Sequence, residues 1–299
     1  MQSLDEYFDE YKKIYPKLKN IWNEVKEFSE KLVEKERDLL VIAEKIEKKT
    51  IELGAKPAFP VNLSVNEIAA HFTPESDEHV MLKEGDLLKV DFGIHVEGYI
   101  FDGAYTVCIG KCNEEKMKLI EASKKGLEEA LKAIKSGAKV REIAEAVESI
   151  AEKYGVNPVR NLGGHGLGRY IVHMPPTLLN GRNEIEDELI SGMPVAMEVF
   201  MTNGVGAVKD SFPSRIFELE DISAKRAFRD FQIRKMIDYI TKDIKTIPFC
   251  RRWLSNYPRI RVEFLITRGI VAGLFREHPV LKELSGGLVA QTETTLIVE

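Results

Sequence analysis

Four acids and one histidine occupy stretches that read as strands. Asp91 and Asp102 lie in KVDFGIHVEGYIFDGAYTV, residues 89–107; Glu198 lies in VAMEVF, Glu293 in VAQTETTLIV and His165 in NLGGHGLGRY. A carboxylate inside an apolar strand is unfavourable unless a proton or an opposite charge neutralises it. Glu97-Gly98 reads as a two-residue hairpin turn, which makes paired residue numbers sum to 195. Gly93 then faces Asp102, and Asp91 lies two residues from Gly93 on the same face. The two acids become diagonal neighbours, with Cβ atoms about 7 Å apart or less. Sharing a proton or binding a divalent cation would relieve their repulsion.

Glu198, Glu293 and His165 favour the cation. No one of the five residues carries the argument; together they supply four carboxylates and an imidazole, a donor set that suits Mn, Fe, Co or Zn. That exceeds the need of one ion, and two ions about 3.5–4 Å apart sharing carboxylates would fit. Gly163, Gly164, Gly166 and Gly168 around His165 are expected to let the backbone pass close to something bulky.

These residues need elements to hold them. Residues 1–34 carry apolar side chains at 4, 8, 11, 15, 18, 22, 25 and 32, steps of three and four that predict an amphipathic helix. Pro16 predicts that the helix starts or kinks there. Packing on its own domain is the expected use of its apolar face, with a coiled-coil partner as the alternative. Residues 38–57 and 139–158 repeat at a constant offset of 101, matching Ile42, Ala43, Glu44, Glu47, Gly54 and Pro57 to Ile143, Ala144, Glu145, Glu148, Gly155 and Pro158. Each copy reads as a helix stopped by glycine, followed by strands. Two similar halves facing across a shared site are expected. Residues 215–284 differ in character: they carry helical patterning and the basic-aromatic run FCRRWLSNYPRIR, and read as an inserted helical subdomain rather than a DNA-reading module.

The composition narrows the classes. Forty-three basic against 48 acidic side chains give −5, so no nucleic-acid footprint is visible. No apolar run approaches the roughly 20 residues of a membrane span. Cys108, Cys112 and Cys250 form an odd, sparse set that argues against a disulfide framework and for a reducing compartment. The N-terminal stretch lacks the apolar core of a secretory signal. A cytoplasmic protein is expected.

The chain resembles the type II methionine aminopeptidases, of the archaeal kind, from about residue 16 onward. The resemblance is carried by KPAFPVNLSVNEIAAHFTP (56–74), LLKVDFGIHVEGYIFD (87–102), NLGGHGLGRY with the later His173, MEVF at Glu198 and VAQTE at Glu293. It implies an α/β pita-bread fold: two pseudo-symmetric halves with a curved, mostly antiparallel sheet. The division it implies is an N-terminal extension at 1–15, a catalytic domain at 16–299 and, within it, a type II insertion at 215–284. Two divalent ions (Co, Mn, Fe or Zn) would sit between the halves. By resemblance, Asp91 chelates one, Asp102 and Glu293 bridge both, and His165 and Glu198 bind the other. Glu198 would move the proton from the activated water to the leaving amine. His71 and His173 would hydrogen-bond the substrate and its tetrahedral intermediate, and Phe59 and Val172 would line the methionine pocket. The implied substrate is the N-terminus of a nascent polypeptide, with the ribosome as a partner and a monomeric enzyme. Two other readings stay open: a pita-bread binding module for ribosomes, RNA or protein, and a prolidase-like aminopeptidase. The chain departs from the family pattern at Gly103, where a hydroxyl residue is usual, at Val199 in place of proline and at Thr294 in place of histidine. Changes beside metal ligands are expected to cost about 10–100-fold in metal affinity or activity.

Overall fold

The computed structural model describes residues 3–299. Helix α1 spans Leu4–Glu30 and α2 spans Leu39–Glu52. Short strands β1 (Lys56–Pro57), β2 (Asn62–Val65) and β3 (Ile68–Ala70) lead into β4 (Leu87–Asp91), β5 (Ile94–Val96), β6 (Tyr99–Phe101) and β7 (Gly103–Cys108). The pattern repeats with α3 (Glu114–Ala133), α4 (Val140–Tyr154), β8 (Asn157–Pro158), β9 (Gly163–Gly168), β10 (Ile171–Leu179) and β11 (Pro194–Thr202). Strand β12 (Val208–Leu219) leads out to α5 (Phe231–Tyr239), β13 (Phe249–Cys250) and α6 (Arg259–Val271), and β14 (Phe275–Glu283) and β15 (Val289–Ile297) lead back. One antiparallel sheet, ordered β10-β9-β11-β15-β7-β4-β2, joins the two halves, with β8 added to β11. Among the described residues no helix is long and apolar enough to cross a membrane.

The repeat is structural. Asp38 and Lys139, 101 apart, each precede the first residue of a helix, α2 and α4. Gly54 and Gly155 follow those helices with φ of 81° and 58°, a conformation in which a side chain would be strained. Lys56–Pro57 and Asn157–Pro158 follow as the matching strands β1 and β8.

The hairpin keeps its expected register but is broken in two. Ile94 pairs with Phe101 and Val96 with Tyr99; beyond the break Asp91 pairs with Ala104 and Leu87 with Cys108, so the sum of 195 persists. Glu97 and Gly98 both have positive φ, 52° and 89°, as a two-residue turn of this type demands. The break leaves backbone carbonyls without ladder partners, and α1 supplies donors: Trp22 Nε1 donates to Phe92 O at 2.9 Å and the Tyr11 hydroxyl to Ile100 O.

Two expectations are corrected here. Helix α1 does not start at Pro16: it begins at Leu4, capped by Ser3, and runs through the proline. The boundary expected after residue 15 therefore falls inside a helix whose first half is already packed, with Tyr7 and Tyr11 buried and Tyr15 donating to Thr295 O at 2.9 Å. Residues 1 and 2 of the expected extension lie outside the described residues. Cys108 and Cys112 form a disulfide, whereas free thiols were expected. The tight loop after β7, with Gly110 at φ 66°, brings their Cα atoms to 6.0 Å, a bridgeable separation. Cys250 is free and buried.

The helical excursion between β12 and β14 builds a second apolar core from Phe217, Ile233, Met236, Phe249, Leu265 and Phe275. Its basic-aromatic run is consumed in internal pairing. Arg252 makes a bidentate pair with Glu47 of α2, both bonds at 3.0 Å, and Trp253 Nε1 donates to the same carboxylate at 3.1 Å. Arg251 meets Glu75 and Glu263, and Arg259 meets Asp77. Arg252 and Glu47 are both buried. Removing one partner of a buried pair strands the other charge, whereas replacing both with apolar groups is often neutral. Glu47→Ala is therefore expected to cost about 3–5 kcal/mol, and Glu47→Leu with Arg252→Met to recover most of it. Chemical denaturation of the variants measures both, and a loss near zero for Glu47→Ala would show that the pair does not hold the insertion.

Candidate metal centre

The site lies on one face of the central sheet. Glu198 pairs with Glu293, Glu293 with Ala104, Ala104 with Asp91 and Asp91 with Asn62, a single row across β11, β15, β7, β4 and β2. Asp102 precedes Ala104 by two residues and shares its face. His165 on β9 pairs with Ala196, two residues before Glu198. The strands thus bring together all five predicted ligands. Oxygen or nitrogen atoms of Asp102, His165 and Glu293 lie within 4.8 Å of one another. His165 Nε2 is 3.9 Å from Asp102 Oδ2 and 3.8 Å from Glu198 Oε1.

The row sits where the ladder opens, and side chains replace the missing backbone bonds. Thr295 Oγ1 accepts from Asp102 N and donates to Asp102 O, both at 2.8 Å. Thr106 Oγ1 treats Gln291 likewise, accepting from its N–H and donating to its carbonyl at 2.7 Å. Asn180 Nδ2 donates to Glu198 O at 2.7 Å while its Oδ1 accepts from Phe200 N at 2.6 Å. The glycines of β9 serve this packing rather than a ligand: a Cβ on Gly164 would lie 2.3 Å from Ala196 O, and one on Gly166 2.5 Å from Pro175 O. The bulky neighbour expected beside His165 is the backbone of β11 and β10.

Electrostatically the site is starved of positive charge. Asp91, Asp102 and Glu293 are buried, Glu198 partly so. Two unit charges 4.8 Å apart, the limit for Asp102 and Glu293, repel by about 3–4 kcal/mol at a protein-like dielectric. Burial, with the neighbouring carboxylates adding to it, pushes Asp102, Glu198 and Glu293 well above the usual carboxylate range. Burial alone raises Asp91 to about 7, against hydrogen bonds from Gln291 and Asn62. Burial lowers His165 to about 4. Its Nδ1 donates to Gly166 O at 3.2 Å, which leaves the Nε2 lone pair facing the carboxylates. Asp91 Oδ1 and Asp102 Oδ1 are buried with no hydrogen-bond partner among the described residues. Orphaned carboxylate oxygens beside an unprotonated imidazole nitrogen are the donor set a divalent cation requires, so the residues fit such ions.

The site opens into a cavity that is also lined by Phe59, Val172, His71 and His173, the expected substrate-binding residues. His71 Nδ1 lies 3.0 Å from Pro279 O and donates to it, leaving Nε2 uncommitted. Burial and then the nearby His278 lower His71 to about 4. His173 keeps exposed surface at the cavity mouth, while crowding around its ring and then His165, His71 and His278 hold it well below the usual histidine value. Its ring centroid is 4.6 Å from that of His165.

Sequence reasoning missed two residues. His278 on β14 lines the cavity, its ring centroid 5.8 Å from those of both His71 and His173, and its Nε2 is 2.9 Å from Glu218 Oε2. Gln291 is wholly buried among the carboxylates. Gln291 had a legible signal, since it stands two residues before Glu293 in a strand; His278 had none, because its strand returns from the insertion.

Three departures from the family pattern have a common placement. Gly103, Val199 and Thr294 each adjoin a site residue in sequence and so point to the opposite, helix-facing side of the sheet. There Val199 packs on Gly126 of α3, and the Trp22 ring fills the space beside Gly103, where a Cβ would meet Cζ2 at 2.5 Å. Gly103→Ser is expected to destabilise the fold by about 1–3 kcal/mol through overpacking, read as a lowered unfolding midpoint. A second expectation concerns the site itself. Mn or Co at a hundredfold excess over Kd should stabilise the wild type by about 2.7 kcal/mol, and His165→Ala should lose most of that gain. Thermal melts with and without the ion decide it, and equal gains in both proteins would place the binding elsewhere.

Comparisons with known proteins agree with this geometry. The model of metallopeptidase family M24 matches residues 16–222. A methionine aminopeptidase of Archaeoglobus fulgidus is 43% identical over 261 residues, covering 87% of this chain and 86% of that protein. One of Pyrococcus horikoshii is 39% identical over 282 residues, covering 93% of each. Among solved structures, a thermophilic Arx1 superposes with a TM-score of 0.84 at 18% identity, covering 99% of this chain and 89% of that one. The methionine aminopeptidase of Rickettsia prowazekii gives 0.68 at 20% identity, covering 96% and 94%. These structures share the antiparallel, two-halved pita-bread fold. With the buried carboxylate row, the uncommitted imidazole nitrogen and a family match that covers most of the chain, this protein belongs to metallopeptidase family M24.

Proposed function

We propose that the protein removes the N-terminal methionine from nascent polypeptides in the cytoplasm, as a monomeric type II methionine aminopeptidase. The observation that carries the reading is the convergence of five donors, two with orphaned oxygens, at the base of a cavity with an apolar wall and three further imidazoles. Relatives called methionine aminopeptidase, matched over most of the chain, support it.

Asp91 would hold one divalent ion, Asp102 and Glu293 both, and His165 and Glu198 the other. Co, Mn, Fe or Zn held there supplies Lewis-acid polarisation of the scissile carbonyl and a water of lowered pKa. Glu198 faces this site with a carboxylate less buried than the other three, which suits it to take a proton from the attacking water and return it to the leaving amine. His71, with Nδ1 fixed on Pro279 O, can offer Nε2 to the peptide or to the developing oxyanion. His173 stands beside the ligand His165, where it can meet the same group. Phe59 and Val172 give the methionine side chain an apolar wall, and the aromatic ring suits a thioether. The insertion at 215–284 is the feature that would mark the type II branch, and the N-terminus of a chain on the ribosome is the substrate it would meet.

The test is hydrolysis of Met-Gly-Met by metal-loaded protein. Release of methionine is expected with Co, Mn or Fe, and its abolition by chelation and by His165→Ala. His71→Ala and His173→Ala are each expected to lower kcat by about 10²–10³, the usual loss for one oxyanion donor. Preference for X-Pro over Met-Ala peptides would select the prolidase-like reading. Bound metal without methionine release would select the binding module.

A further inference from the structure

Gln291 has no part in the chemistry described above, yet its side chain touches three of the five predicted ligands. Its side chain is wholly buried. Its Nε2 lies 3.4 Å from Asp91 Oδ2, 3.3 Å from Glu198 Oε2 and 3.3 Å from Glu293 Oε2. An amide nitrogen carries two protons, so three carboxylates share two N–H groups. The orientation of the amide is fixed by charge: the flipped arrangement would turn its carbonyl oxygen toward the same three anionic groups. The carbonyl oxygen Oε1 is buried with no hydrogen-bond partner among the described residues, so nothing on that side competes for the orientation.

The backbone of Gln291 is held as firmly. On one side it pairs with Phe200 of β11. On the other, Thr106 accepts from its N–H and donates to its carbonyl. The main chain that carries the amide is therefore anchored independently of the carboxylates. The carboxylates come from three different strands, β4, β11 and β15, so one amide ties together the positions of ligands that the chain places far apart in sequence.

We propose that Gln291 is the positioning residue of the metal centre: it draws one oxygen each of Asp91, Glu198 and Glu293 to a common point behind the site and thereby sets how their other oxygens face the cations. In this orientation it is not a ligand: the amide nitrogen, which has no lone pair to offer a cation, faces the carboxylates, and the donor oxygen does not. Asp102 is the acid whose carboxylate Gln291 does not reach; its backbone N–H and carbonyl are held by Thr295. The two hydroxyl clamps fix the backbones of Asp102 and Gln291, and the one amide reaches the carboxylates.

Gln291→Leu removes the amide and keeps close to the same volume. Partners of this kind, once removed, lower metal affinity about 10–100-fold. Isothermal titration with Mn or Co should show that loss, and the visible absorption of bound Co should change in band position or intensity as its carboxylates reorient. An unchanged unfolding midpoint without metal would separate this from general damage. A second measurement needs no variant fold: the side-chain amide resonances of Gln291 in the wild type should shift during titration with Zn and saturate with the bound ions. Wild-type affinity and spectrum in Gln291→Leu, or amide resonances that do not move, would overturn the proposal. The proposal rests on the metal reading of the site and not on the methionine substrate. A wild type that binds no divalent ion would overturn the metal reading itself, a result distinct from equal binding by wild type and variant.

Discussion

Three carboxylates stand in one row across the sheet, on β11, β15 and β4, with Asp102 beside them, and this cluster of buried acids sets the terms for everything around it. A closed antiparallel ladder would hold those strands at a fixed spacing and leave no room to adjust the acids. The sheet is instead opened between β7 and β15, whose backbone pairing is confined to Glu293–Ala104 and Thr294–Gly103. At each end of that short contact a threonine hydroxyl replaces two backbone bonds. A hydroxyl both donates and accepts, so it satisfies an N–H and a C=O at once while leaving the strands further apart. Ala104, the small residue in the middle of the row, leaves the space between Asp91 and Glu293 free of side chain.

Strand parity divides the work between the two faces of this sheet. Even a single step along the chain from a ligand leads to the other side, where α1 and α3 pack. A family difference beside a ligand in sequence is therefore not a difference beside it in space. Trp22 fills the place beside Gly103, and its indole donates to Phe92 O in the break between β4 and β5. The first helix closes the sheet from behind, satisfies the carbonyls the break exposes and leaves the cavity face untouched.

Much of this was legible in the residues. The turn at Glu97-Gly98 fixed a register that survives the break, because parity is conserved when both strands are interrupted opposite each other. The offset of 101 carried over to helix caps, glycine stops and short strands because each is set by local sequence. The five candidate ligands stood out as polar residues in apolar strands, and the strands bring them together. What escaped was of another kind. Pro16 reads as a break, yet tertiary contacts of Tyr7, Tyr11 and Tyr15 carry the helix through it. The β9 glycines admit neighbouring backbone, a demand of sheet packing that no local pattern shows. The Cys108–Cys112 disulfide depends on a loop geometry that a count of cysteines ignores. His278 reaches the cavity only because β14 returns beside β12 after the long excursion.

The repeat also explains where that excursion docks. Glu47 and Glu148 occupy matching positions 101 apart, each on the inward face of its helix and each buried. A buried carboxylate must find donors, and the two copies find different ones. Glu148 accepts from Arg182 N at 3.0 Å and from Arg160 at 3.1 Å, both from loops of its own half. Glu47 accepts from Val61 N at 3.3 Å but takes its main partners, Arg252 and Trp253, from the far side of the inserted helices. Arg252 in turn donates to Thr73 Oγ1 and Pro74 O, in the segment that follows His71. One guanidinium thus links the helix of the first half, the insertion and the approach to a cavity-lining histidine. The arginines of the basic-aromatic run are committed to internal ion pairs, and Arg252 ties that pairing to the segment behind His71.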